Sequence, residues 1–281
     1  MKDLVKLLSF LLLLNSVPNL AQDKFYVDSL ITELGDETVD SLRCRMMLGI
    51  AEAYKTSDTS ISLGYLRQIK SFGADLGDKS YLGRAYDLEG DINVHYGTYN
   101  QAVLSYDRAM ALYNEAQNNI AYYETMKKKG NAFLFQGNYT QAMNNYETAL
   151  DYYRRNNMAE GASKCLNNMG IIYKNQGKYV EALRVYNESI AIIEPEKVPM
   201  QVAQGYINMG NVFVYLGAYE RALEYFERSR EIAEKEGNIQ NLALILINSG
   251  VVLNKCNNFQ KAGEYYHRAL DMFRSIDDRI Q

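Results

Sequence analysis

Tryptophan is absent from the 281 residues, histidine occurs twice, and cysteine and proline three times each. His95 and His267 stand at unrelated places in the sequence, so no catalytic base can be paired with a nearby nucleophile and an orienting group. Cys44, Cys165 and Cys256 are odd in number and far apart, which excludes a disulfide framework, and none has zinc-ligand spacing with a histidine. The three read as lone buried thiols. Gly-rich phosphate loops need several glycines opening a helix after a strand, and no such cluster occurs. No catalytic residue, metal or cofactor is therefore expected. The shortage of proline beside 47% apolar residues argues against disorder. Basic charge is also scarce: the net charge is −4 and the one basic run is Lys127-Lys128-Lys129, a poor footprint for nucleic acid.

No apolar run is long enough to span a bilayer, but one stands at the amino terminus. Lys2 and Lys6 flank the start, Leu7 to Leu14 form a short apolar core, and Pro18 to Ala21 lead to a cut before Gln22. Residues 1–21 read as a secretory signal peptide, and the mature chain is expected to be exported, periplasmic or secreted. Residues 22–43 follow as an amphipathic helix with Tyr26, Leu30, Ile31 and Leu34 on one stripe, broken by Gly35-Asp36-Glu37-Thr38.

The rest of the chain repeats every 40 residues. Gly90, Gly130, Gly170, Gly210 and Gly250 each open one pattern. Seven residues on stand Gly97, Gly137, Gly177, Gly217 and Asn257, and nine on stand Tyr99, Tyr139, Tyr179, Tyr219 and Phe259. Alanine follows at 102, 142, 182, 222 and 262; then come Tyr106, Tyr146, Tyr186, Phe226 and Tyr266, and last Ala109, Ala149, Ser189, Ser229 and Ala269. Apolar and small residues recur three and four apart, which predicts helices, and the second glycine predicts a left-handed turn between the two helices of a unit. Glycine inside a helix costs roughly 1 kcal/mol relative to alanine. Its fivefold recurrence at one register predicts a close approach between helices. Many of the 24 tyrosines fall to the repeat's aromatic slots, where packing between helices is their expected role.

A small residue, an aromatic, alanine, an aromatic and a small residue at these offsets resemble the tetratricopeptide repeat (TPR) family, in its 40-residue-period subgroup. The resemblance implies an all-α, right-handed α-α superhelical solenoid of helix pairs: a degenerate first repeat over 44–82, then repeats over 83–122, 123–162, 163–202, 203–242 and 243–281. In the degenerate repeat Ser57 and Asp58 replace the glycine turn. Signal peptide, short helix and repeats in this order also look like the exported sensory region of bacterial TPR-containing signalling receptors.

In this family one face of the first helices lines a concave groove. Here that face carries Lys127 and Asn131, then Asn167, Asn168 and Lys174, then Asn208, Asn211 and Tyr215, and then Asn248. Asn168, Asn208 and Asn248 hold one register, and an amide both donates and accepts hydrogen bonds, which suits an extended backbone. The expected function is a non-enzymatic scaffold binding a protein or peptide partner. The alternatives are the periplasmic input region of a longer signalling receptor and a hydrolase built on a carboxylate pair such as Asp87 and Asp91. Nucleic acid is not expected as a partner, nor is a membrane span. Leu270, Met272, Phe273 and Ile276 continue the apolar pattern to the carboxyl end and point to self-association through the last repeat.

Overall fold

A computed structural model describes residues 28–32, 34, 40–72, 79–194 and 196–277. The expected signal peptide, the Gly35 to Thr38 break and Pro195 lie outside the described residues, among which every regular element is helical. The chain divides into two compact units, 1–136 and 137–281. The first holds α1 (Asp40–Tyr54), α2 (Thr59–Phe72), α3 (Ser80–His95), α4 (Tyr99–Glu115) and α5 (Asn119–Phe135), with residues 28–32 and 34 also helical. The second holds α6 (Tyr139–Arg155), α7 (Ala159–Asn175), α8 (Tyr179–Ala191), α9 (Pro199–Tyr215), α10 (Tyr219–Lys235), α11 (Ile239–Lys255) and α12 (Phe259–Asp277). No described helix is long and apolar enough to cross a membrane.

Most of these helices run 17 residues and are joined by three-residue turns. Positive φ recurs at 97, 117, 137, 157, 177, 217, 237 and 257, a step of 20 interrupted at 197 alone. At Gly177 (φ 74°) the N–H donates to the Lys174 carbonyl at 3.0 Å, and the Lys178 N–H donates to Tyr173 at 2.9 Å. This double bond closes the helix end and satisfies two of its free carbonyls. The turns between successive repeats, at Gln117, Asn157 and Gly237, obey the same geometry, although glutamine and asparagine conceal it in the sequence at the first two. The exception has a cause. Proline at 195 would collide with the carbonyl of residue 191 in a continuing helix, and α8 ends at Ala191.

Asparagines complete the turns from the other side. Asn118 and Asn238 accept from the amides of Ala121 (3.1 Å) and Asn241 (2.9 Å), the N-cap bond that relieves an orphan donor. Asn138, which opens the Asn-Tyr-Thr sequence of a glycosylation acceptor, does the same to Gln141 at 3.3 Å.

The helix-interior glycines are contact sites. A Cβ on Gly210 would stand 2.5 Å from the Phe226 ring and one on Gly250 2.6 Å from Tyr266. Gly90 meets Tyr106 and Gly170 meets Tyr186 in the same way. Each glycine thus seats the aromatic sixteen residues on, and Tyr106, Tyr146, Tyr186 and Phe226 are all at most 1% exposed. Alanines 102, 142, 182 and 222, fully buried, let the second helix lie close beside them. Contacts with the following helix pair use other positions of the second helix: Tyr153 covers Gly161, and Ile190 covers Gly205. On α12 the residues at those registers, Phe273 and Leu270, remain 36% and 45% exposed.

Candidate functional site

In the first unit the first-helix face forms a charged cluster. Asp87 and Asp91 lie four apart on α3 and so share a face. Lys128 of α5 places its Nζ 2.6 Å from Asp87 and 2.8 Å from Asp91. Thr125 donates to Asp87 and the Tyr106 hydroxyl donates to Asp91, both at 2.8 Å. Burial pushes the Asp87 carboxyl above its ordinary value although Lys128 pulls it down, because two carboxylates share one ammonium. Burial pulls Lys128 the other way, but Asp87 and Asp91 outweigh it and hold the lysine charged. The two acids therefore tie α3, α4 and α5 together.

Lys127, expected to supply groove charge, is 9% exposed and pairs with Glu124 one turn back. Lys128 is the lysine at the centre of the cluster. Asn131, expected on the same face, lines a cavity of about 330 Å³ beside Asp91, His95, Lys128 and Phe135. Among the described residues no group of His, Cys, Asp and Glu could hold a metal ion. Cys44 and Cys165 are buried thiols, but Cys256, expected to be buried, is exposed in the turn after α11.

In the second unit the expected face is a run of amides. Asn208, 9% exposed, donates from Nδ2 to Asn167 Oδ1 at 2.9 Å, and Gln204 donates to its oxygen at 3.4 Å. Asn168 is hydrogen-bonded to the buried Tyr146 hydroxyl. Asn167, Asn168, Asn211 and Asn248 are all half-buried. Tyr215, 64% exposed, stacks on Tyr179 with ring centroids 6.0 Å apart. Lys174 lies 5.8 Å from the Tyr215 ring centroid, a cation–π distance. Partial burial without a carboxylate lowers the pKa of Lys174. The structure thus pairs Asn208 with Asn167 and Asn168 with Tyr146, and brings Lys174 beside the Tyr215 ring. Lys127 and Asn131 belong to the first unit.

The buried tyrosine hydroxyls differ in one respect. Tyr106 has Asp91 and Tyr146 has Asn168, but the Tyr186 hydroxyl is sealed from solvent with no partner. Two registers account for it: Asp91, after the repeated glycine, is replaced by Ile171, and Asn208, at the register of Asn168, donates to Asn167 instead.

The tetratricopeptide repeat model matches residues 122–195 and 201–275, more than half of the chain. The chain belongs to the tetratricopeptide repeat family. Among solved TPR-like structures, a Rap protein complexed with Competence and Sporulation Factor is 18% identical, with 90% of this chain covering 71% of that one at a TM-score of 0.71. The apo form of the quorum sensor NprR from B. thuringiensis is 17% identical, with coverages of 90% and 72% and a TM-score of 0.66. BtubC from P. vanneervenii is 20% identical, with coverages of 83% and 92% and a TM-score of 0.62. At these identities the likeness concerns the TPR fold. No curated protein matches the sequence.

Proposed function

We propose that this TPR protein is a non-enzymatic scaffold that holds an extended segment of a partner protein along the first-helix face of its second unit. The observation behind this reading is the amide set of Asn167, Asn168, Asn208 and Asn248. Each amide offers two donor hydrogens and an acceptor oxygen, and the bonds described above use only part of that capacity. A half-buried position lowers the water competition that weakens such bonds at a fully exposed site. Tyr215 and Lys174 supply an aromatic ledge and a charge at the end of the same face. The Rap protein solved with Competence and Sporulation Factor supports the view that this fold can present a ligand site.

Asn168→Ala combined with Asn248→Ala should weaken partner capture from an extract while moving the melting temperature little. Asn208 is left intact in this test because its bond to Asn167 is structural. Equal capture by variant and parent would move the site off this face.

Export belongs to the same proposal: the chain is released after Ala21, and the mass of the exported protein should correspond to a start at Gln22. A mass retaining Met1 would contradict it. The second reading, a sensory input region of a longer signalling receptor, is favoured by the quorum sensor NprR among the similar folds.

A further inference from the structure

The residue just before the repeated glycine lies between its own helix pair and the pair that precedes it, and in four repeats a long side chain fills that space. Glu89 takes Lys70 and Ser105, Lys129 takes Asp107 at 2.5 Å, and Met169 and Met209 are 7% and 1% exposed. The fifth residue of the series is Ser249. It is too short to fill the space, and a cavity of about 310 Å³ opens there in the second unit. Ser249 is only 6% exposed as a residue, and its hydroxyl has no hydrogen-bond partner among the described residues; unlike the Tyr186 hydroxyl it is not sealed from solvent but lies on the cavity wall.

The remaining walls say what would satisfy it. Glu220, Glu224 and Glu227 lie at i, i+4 and i+7 along α10 and put three carboxylates on one side, against one lysine, Lys261, on the other. Two of these acids have partners on their own helix: Glu224 with Arg228 at 2.7 Å, and Glu227 with Arg230. Arg228 leans over the Tyr225 ring at 5.2 Å, and neither arginine lines the cavity. Glu220 has no ion pair among the described residues. Leu223 and Leu253 supply apolar surface between the carboxylates and the serine.

We propose that this cavity binds an alkyl-ammonium or alkyl-guanidinium group, whose apolar stem lies on Leu223 and Leu253, whose cation meets Glu220 and Glu224, and whose N–H donates to the Ser249 hydroxyl. The site is separate from the amide face and does not depend on it. Carboxylate recognition of a cation with a hydroxyl acceptor is a charge-assisted bond set, and a pocket of this size accommodates a single long basic side chain.

Two probes distinguish the sources of such a group: 1,5-diaminopentane as a free amine, and the blocked tripeptide acetyl-Gly-Arg-Gly-amide as a basic side chain. Each is titrated into the whole protein at millimolar concentration by calorimetry, with chemical shifts of the Ser249 region followed in parallel. One or both should bind, the better binder naming the source. Ser249→Met, the residue found at 169 and 209, should fill the cavity and weaken binding at least tenfold. Glu220→Gln, on the exposed surface, should weaken it severalfold without touching the fold. Asn168→Ala with Asn248→Ala should leave it unchanged, which keeps this test independent of the amide face. No binding of either probe, or equal binding by the parent and the Ser249→Met and Glu220→Gln variants, would overturn the proposal.

Discussion

Tyr106→Phe and Tyr186→Phe remove the same atom from the same register and should change stability in opposite directions. Both rings are buried against a helix glycine, Gly90 and Gly170, so the packing of the ring cancels in the comparison. What differs is the hydroxyl. In Tyr106 it donates to the Asp91 carboxylate at 2.8 Å, and a hydrogen bond to a charged group contributes about 1.5–3 kcal/mol. Lys128 remains on Asp91 after the change and holds the loss toward the lower end, so about 1.5–2 kcal/mol is expected. In Tyr186 the hydroxyl is buried without a partner, which costs about 1–3 kcal/mol in lost hydration. Removing it should be neutral or stabilise by about 1 kcal/mol. Phe226 holds the equivalent slot one repeat later and shows that the hydroxyl is dispensable for the packing. Urea titrations of parent and variants should give a lower midpoint for Tyr106→Phe and an equal or higher one for Tyr186→Phe, at unchanged slope. Equal losses in the two variants would refute the assignment of the effect to the hydroxyl partner.

Asp87→Asn should alter the pH profile of stability. The folded-state carboxyl sits above its ordinary 3.8, so the native protein holds that proton more tightly than the unfolded chain. The linked contribution is full below pH 3.8 and is lost as pH rises through the raised value. Relative to the variant, the parent should therefore lose stability across that rise; parallel profiles in pH-dependent urea titrations would contradict it. A second expectation concerns α12. Replacing Leu270 and Phe273 with polar residues should shift sedimentation toward monomer, since the equivalent Ile190 and Tyr153 are contact residues between helix pairs. A parent that is already monomeric and unaffected by the change would argue against self-association there.

The helical repeat and its packing were legible because they rest on local chemistry that recurs in register. The glycines at 90, 170, 210 and 250 announced a close approach, and rings sixteen residues away occupy it. The site was less legible. The expected face was given Lys127, and only the reach of Asp87 and Asp91 to the next helix pair selected Lys128. Asn208 looked like a free ligand group, but its bond to Asn167 of the preceding pair depends on side-chain positions 41 residues apart. The missing partner of Tyr186 was readable only in part: Ile171 stands at the position of Asp91, but Asn208 holds the register of Asn168 and turns to Asn167. The cavity at Ser249 was also readable in principle, as one short residue in a series of long ones. Its unbonded hydroxyl was not, since that depends on how the neighbouring helices close around it.

The even spacing of left-handed turn residues has a consequence for how this chain can change length. From α4 onward one helix and its turn use 20 residues, so excision of residues 199–238 would join Val198 to Ile239, a turn leading into a first helix, just as before. Every remaining side chain would keep its inner or outer aspect. Excision of a single helix and turn would instead convert each later first helix into a second one, carrying the amides to the opposite side and the ring-bearing face into solvent. Growth and loss in such a chain are quantised in steps of two helices.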